Sequence, residues 1–270
     1  MHTHPPLKSL DAAPGALFDG HLWIMELIDG LAFRFRMQES GLLEFGGPDR
    51  VFESDRVPLE YRHAVRMVQD RFERDRFRDA VETVDAVTFL AVAVGAGETP
   101  YDWAQTPSVF GTDVWNDDTG EYLSIDTARR VFKRVEIPPI NTIAREVRGR
   151  DFDPDTYDIP LSEWRDGPAV GVVLRDKTGS RAALRSGQSA SPDPRPTTVD
   201  EIGSHISDPW LERVVEAVAT ESDGNSTKTI VTRALERLAR EGRLPDNSGS
   251  AAESEFRAAV TDRVNQYLRE

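Results

Sequence analysis

The side chains able to meet a phosphate or a cation are thinly spread in this chain, and the densest group comes early. Glu26, Asp29 and Arg34 fall within Trp23-Ile24-Met25-Glu26-Leu27-Ile28-Asp29-Gly30 and the stretch that follows it, Leu31 to Met37. Arg34, on the polar face of its strand, could meet a phosphate or a surface acid through its N–H donors. Asp113 and Arg185 are the other polar residues that stand inside apolar segments. The plainer reading is that Glu26 ends a strand and Asp29 makes its turn, because Asp-Gly between two apolar runs is the strongest short hairpin signal. Leu31, Phe33, Phe35 and Met37 then alternate with Ala32, Arg34 and Arg36, the period of a half-buried strand. No other active site competes. Cysteine is absent, the lysines are Lys8, Lys133, Lys177 and Lys228, and there is no Walker loop, zinc spacing or Ser-His-Asp arrangement.

Three segments, in order, carry a resemblance. The first is Glu-Leu-Ile-Asp-Gly with Arg34 four residues after Gly30. The second is Tyr101-Asp102-Trp103, a spacer, then Phe110-Gly111-Thr112-Asp113-Val114-Trp115. The third is Gly171-Val172-Val173 followed by Leu184-Arg185. Together, over about residues 20–186, they resemble the ATP-dependent RNA ligases of the covalent nucleotidyltransferase superfamily. That resemblance implies an α+β nucleotidyltransferase fold of antiparallel sheets with a small C-terminal helical domain, ATP and magnesium as cofactors, and RNA or nucleotide as partner. It also places Leu27 where the family has the lysine that attacks the α-phosphate, and leucine cannot be a nucleophile. Val92 falls near the family's ribose-contacting glutamate, Val170 at its metal-serving glutamate and Ala183 at its phosphate-gripping lysine. The site implied by the resemblance is therefore Glu26, Asp29, Arg34, Val92, Val170, Ala183 and Arg185, with no catalytic residue at position 27. The expectation is a catalytically degenerate RNA ligase-like protein that still binds nucleotide, RNA ends or a ligase partner. The alternative is an active ligase using a relocated nucleophile, Lys177. Leu27, Val92, Val170 and Ala183 should meet in one partly closed space between the sheets, since apolar side chains gain by burial.

The elements that must position these residues follow from periodicity and punctuation. After the early hairpin, Leu42 to Phe45 reads as a third strand. Pro58 opens a helix carrying Tyr61, Val65, Val68, Phe72 and Phe77 on one face, and the arginines from Arg62 to Arg78 interleave with Asp70, Glu73, Asp75 and Asp79, the pattern of a solvated, ion-paired surface rather than an RNA stripe. Ala86 to Val94 is a buried strand, Ser124 to Val135 a helix with Ser124 as N-cap, and Pro138 to Trp164 a connection. Strands flanking Asp176-Lys177-Thr178-Gly179 make a late hairpin. Residues 1–19 are expected to be loose, with His2 and His4 as metal recruits the weaker reading. Residues 20–186 form the nucleotidyltransferase domain, 187–199 a Ser/Pro-rich linker, and 200–270 a helical domain built on Trp210, Val214, Val215 and Val218, then Ile230, Ala234, Leu235 and Leu238, then Phe256, Val260, Val264 and Leu268.

Acids outnumber bases 47 to 33 in the 270 residues, a formal charge of −14. An acidic, arginine-over-lysine, cysteine-free chain fits a halophilic cytoplasmic protein, whose carboxylate surface stays hydrated in concentrated salt. No apolar run approaches the roughly 20 residues of a membrane span, and the start lacks the features of a signal peptide.

Overall fold

A computed structural model describes residues 1–3, 6–95, 99–187, 206–219, 226–244 and 250–269, with side chains in the last segment from 254 onward. The chain divides into two compact units: Met1–Val94 with Thr99–Ala190, and Gly95–Glu98 with Ser191–Glu270. Most of the expected linker lies outside the described residues.

The first unit is built on two five-stranded sheets. Its strands are β1 (Lys8–Ser9), β2 (His21–Glu26), β3 (Gly30–Met37), β4 (Leu43–Gly46), β5 (Val87–Val94), β6 (Val109–Asn116), β7 (Glu121–Tyr122), β8 (Thr142–Arg148), β9 (Gly171–Arg175) and β10 (Arg181–Arg185). One sheet runs β1-β10-β9-β2-β8 and the other β4-β3-β5-β6-β7. All pairings between them are antiparallel except the short parallel contact of β1 with β10.

The early hairpin does not form. β2 and β3 lie in different sheets, and the Leu27–Asp29 segment carries the chain from one to the other. Burial explains why. Leu22 to Ile28 is buried at every position, so β2 is a central strand covered on both faces, with both edges already taken by β8 and β9. β3 likewise has β4 on one edge and β5 on the other. Leu22 and Ile24 pack with Leu17, Val172 and Leu174, while Met25, Leu27 and Ile28 join a separate cluster with Val94 and Phe110. Gly30 begins β3 so close to β5 that a Cβ there would run into the Ala93 carbonyl.

Three helices, α1 (Leu59–Arg71), α2 (Arg74–Arg78) and α3 (Ile125–Arg134), supply side chains to a core on the second sheet, around Phe35, Phe89 and Phe132. The single helix expected from Pro58 breaks at Phe72, whose backbone is extended. Residues five apart on a continuous helix point about 140° from each other. The break lets both Phe72 and Phe77 reach Phe89, at ring distances of 5.3 and 5.2 Å. The arginines of this region serve local structure: Arg62 donates to the Val57 carbonyl, Arg74 to that of Gly41, and Arg76 pairs with Glu73 and Glu136. Ser124 caps α3 as expected, accepting from the Thr127 N–H.

Two other expectations are corrected. Residues 1–19 are not loose where described: Leu17 is fully buried, Lys8–Ser9 pairs with Ala182–Ala183, and Met1 and His2 are hydrogen bonded to the second sheet. His4 lies outside the described residues. The connection from Pro138 to Trp164 contains β8, an edge strand exposed or half-buried at every residue, which left no apolar alternation to read.

In the second unit, α4 (Asp208–Ala219), α5 (Thr227–Arg240) and α6 (Ser250–Tyr267) bury the faces expected of them, except that Val215 is half-buried and Leu268 is 43% exposed beyond the end of α6. Trp210 anchors this unit, donating through Nε1 to Glu241 at 2.9 Å beneath the Arg237 guanidinium. No helix among the described residues is long and apolar enough to cross a membrane.

Because the crossover needs a side chain-free residue against β5, Gly30→Ala should destabilise the first unit by about 1–3 kcal/mol, the usual cost of overpacking. Denaturant unfolding in concentrated salt measures it.

Candidate functional site

Strand alternation divides the space between the two sheets into an apolar end and a charged end. Along β9, Val173 and Arg175 share a face, and along β10 so do Ala183 and Arg181, each pair opposite the other in register. β2 adds Met25 to the apolar end and Trp23 to the charged end. On β6 the pairing jumps from Leu90↔Asp113 to Ala91↔Gly111, leaving Thr112 as the bulged residue. Its hydroxyl donates to the Leu90 carbonyl at 3.0 Å. A bulge re-aims the side chains on either side of it, and here Phe110 joins the apolar end while Asp113 reaches the charged end.

Leu27, Val92, Val170 and Ala183 come together at the apolar end. Leu27 and Ala183 are core members of one cluster with Tyr101, Phe110 and Val173, and Val92 and Val170 are packed against it. Leu27 and Ala183 are each 6% exposed. The backbone keeps these positions together, since the Leu27 N–H donates to the Gly171 carbonyl and the Ser186 N–H to that of Val170. This cluster offers no amine and no carboxylate. Arg185 sits one alternation beyond Ala183 on β10 and is exposed.

The remaining expected residues do not gather round that cluster as a charged lining. Glu26 falls in the strand row of Leu22 and Ile24, out of phase with Met25. It is 1% exposed, and its carboxylate accepts from the Ser162 hydroxyl at 2.6 Å and from Asn141 Nδ2 at 3.3 Å. Burial outweighs these bonds and holds its carboxyl above the ordinary value of 4.5. Asp29 organises the crossover: its N–H donates to the Tyr101 hydroxyl at 2.7 Å and its carboxylate accepts from Thr99 at 3.0 Å. The first and second sequence segments are thus joined through Tyr101, whose hydroxyl is pushed up mainly by burial. Asp102 closes its own turn by accepting from Ala104 and Gln105. Arg34 lies four residues along β3 from Gly30, about 13 Å at strand rise. There it is buried and donates to the carbonyls of Met1 and His2 at 3.2 and 3.3 Å.

The charged end holds two residues that sequence reasoning passed over. Asp113, 2% exposed, bonds Arg175 directly and Arg181 at 3.4 Å. Burial pulls Arg181 below its usual range, and Asp113 opposes that. The signal was the inward row itself: once Val173 and Ala183 are buried, Arg175 and Arg181 must face inward too, and a buried guanidinium beside a half-buried one needs an acid. Next to them lies a cavity of about 630 Å³ whose walls include Trp23, Trp115, Tyr122, Arg175 and Lys177. Lys177 is exposed at the tip of the β9–β10 turn and pairs with Glu146 at 3.0 Å. Among the described residues no group of three or more His, Asp or Glu side chains is placed to hold a metal ion.

Two measurements follow from these contacts. Removing Asp113 takes the acid away from the buried guanidinium of Arg175 and the half-buried one of Arg181, so Asp113→Ala should cost about 3–5 kcal/mol in denaturant unfolding. Glu26 binds its proton more tightly folded than unfolded, so its contribution to stability is complete below the unfolded value near 4.5 and declines as pH rises from there through the higher folded value. Glu26→Gln should therefore be at least as stable as the parent at pH 7, with the difference shrinking as the pH is lowered toward 4.5.

No family model matches the sequence, and no curated protein does. Solved structures do match. An archaeal ATP-dependent RNA ligase aligns over 100% of this chain and 83% of its own, with a TM-score of 0.52 at 14% identity. The Naegleria gruberi RNA ligase, solved with AMP and manganese, aligns over 68% of this chain with a TM-score of 0.52 at 10% identity, and this chain spans 56% of that ligase. At such identities the likeness speaks for the fold, and the fold is the α+β nucleotidyltransferase fold of the ATP-dependent RNA ligases, the family this chain resembles.

Proposed function

We propose that this chain is an RNA ligase-like protein that no longer transfers AMP and is retained for binding, to nucleotide, RNA ends or a ligase partner. One observation carries this reading: Leu27, which the sequence resemblance sets at the family's nucleophile, is packed with Val92, Val170 and Ala183 in one apolar cluster. Transfer of AMP through an enzyme intermediate needs a nucleophile, a cation for the developing phosphate charge and a carboxylate for the metal. None of the four side chains provides any of these. ATP with magnesium does not fit the packed cluster, because a triphosphate there would lose its water and gain no donor. Lys177 is a poor substitute, since in-line attack needs reacting atoms about 3–3.5 Å apart, and this amine is exposed on a turn and paired with Glu146.

The acid excess argues that binding be measured in concentrated salt, as a halophilic cytoplasmic protein requires. Incubated there with labelled ATP and magnesium or manganese, the protein should carry no acid-stable, amine-linked AMP. Leu27→Lys should not restore it, because the metal carboxylate and phosphate lysine remain missing. A stoichiometric adduct on the parent chain would overturn the reading, and its loss in Lys177→Ala would identify the nucleophile.

A further inference from the structure

The cavity of about 630 Å³ at the charged end of the inter-sheet space is of small-molecule size. Two kinds of unspent donor belong to its wall. The first is Arg175, which is 5% exposed. Its guanidinium meets Asp113 through Nη1, on a carboxylate that also bonds Arg181, and its Nε is buried with no partner. A buried donor left unpaired is costly, so an acceptor brought to this guanidinium is a gain. The second is the N-terminus of α3, whose residues Ser124, Ile125 and Asp126 lie in the same wall. Ser124 takes the N–H of Thr127, while those of Ile125 and Asp126 have no acceptor within the helix. Free N–H groups and the helix dipole both favour a negative charge at this point.

The acids of the wall are otherwise engaged. Asp126 pairs with Arg145 and Glu146 with Lys177. Asp176 accepts from the N–H groups of Thr178 and Ser180. Glu121 is adjacent to Tyr122 on β7, so their side chains point to opposite faces. The Tyr122 hydroxyl feels the charges of Asp113, Arg175 and Arg181, which sets the tyrosine toward the charged end and the Glu121 carboxylate away from it.

We propose that this cavity binds a small organic monocarboxylate with an aromatic body, its carboxylate on Arg175 and the first turn of α3. Arginine holds a carboxylate through parallel N–H donors, and Asp113 engages one nitrogen of Arg175, so the guanidinium has donors left to give. Trp23, Trp115 and Tyr122 stand in the wall, and aromatic rings pack favourably edge-to-face or offset against one another. A doubly charged phosphate fits less well, because its further charge would lie against Asp126 and Glu146. The Leu27 cluster is at the other end of the inter-sheet space, so the proposal does not depend on the loss of AMP transfer.

The test is equilibrium binding to the full chain of benzoate, phenylacetate and indole-3-acetate, each against its uncharged amide, with inorganic phosphate and AMP as further probes. Concentrated sodium sulfate supplies the salt, since chloride is itself a monoanion and would compete, whereas sulfate is doubly charged and meets the same acids as phosphate. At least one carboxylate should bind about tenfold or more tightly than its amide, the difference expected for hydrogen bonds to a charged group. Arg175→Lys keeps a positive charge beside Asp113 and removes the planar fork. It should weaken that carboxylate about tenfold and leave the amide unchanged. The comparison of acid with amide on the parent chain decides the matter even if Arg175→Lys does not fold. Equal binding of every acid and its amide, or no binding of any acid, would overturn the proposal. So would phosphate or AMP binding more tightly than every carboxylate, or a folded Arg175→Lys that binds carboxylates as the parent does. Adenylylation of the parent chain would refute the reading of the Leu27 cluster and leave this one standing.

Discussion

The contact on which the two-sheet core depends is the bonding of buried Asp113 to buried Arg175 and half-buried Arg181. Removing these charges from water costs several kcal/mol per ion even after relaxation, so the triad is weak evidence for net stability. Its effect is on specificity. A one-residue slip of β9 against β10 would turn Arg175 or Arg181 out of the inward row and away from buried Asp113. The same slip would move Val173 or Ala183 out of the apolar end. Register at the charged end and packing at the apolar end are therefore set together, and the bulge at Thr112 lets β6 serve both.

Apolar packing at Leu27 follows from the same partition. A lysine amine at that position, with no carboxylate from 92 or 170 to pair with, would carry a desolvation cost that leucine avoids. A charged side chain at any one of the four positions would find no partner at the other three, so four aliphatic residues in one cluster form a self-consistent set. Glu26 is the exception that shows the rule's limit. It keeps its carboxyl in the interior by taking hydrogen bonds from Ser162, Asn141 and the Glu163 backbone, and burial still drives it toward the protonated form.

Much of this was legible in the sequence, and the failures have common causes. Three segments in order were enough to reach the fold, and the cluster of Leu27, Val92, Val170 and Ala183 followed from alignment plus the gain from burying apolar groups. The Asp29-Gly30 pair misled because a hairpin turn and a crossover between sheets use the same local chemistry. What separates them is the two-sided burial of Leu22 to Ile28, a tertiary fact visible in the sequence only as an apolar run interrupted once, at Glu26. The split of α1 from α2 was hidden for the same kind of reason, since the pull of Phe72 and Phe77 on one core overrides helix continuity. Arg34 looked like a phosphate contact on its strand, and its neighbours prove to be the carbonyls of Met1 and His2, from a segment that composition marked as loose.

The placement of charge also decides which of the chain's interactions salt would screen. Exposed pairs such as Arg56 with Glu53, Arg145 with Asp126 and Lys177 with Glu146 lie in water, where at molar salt the screening length falls to about 3 Å and little attraction survives beyond contact. Surface pairs of this kind contribute about 0–1 kcal/mol even in dilute buffer. Arg34, Arg175 and Asp113 are each less than a tenth exposed, so counterions reach them poorly and their interactions persist. Concentrated salt thus screens repulsion across the surface of a chain with a net charge of −14 while sparing the interior charges that fix strand register. The first unit should in consequence lose its surface electrostatics long before it loses its fold.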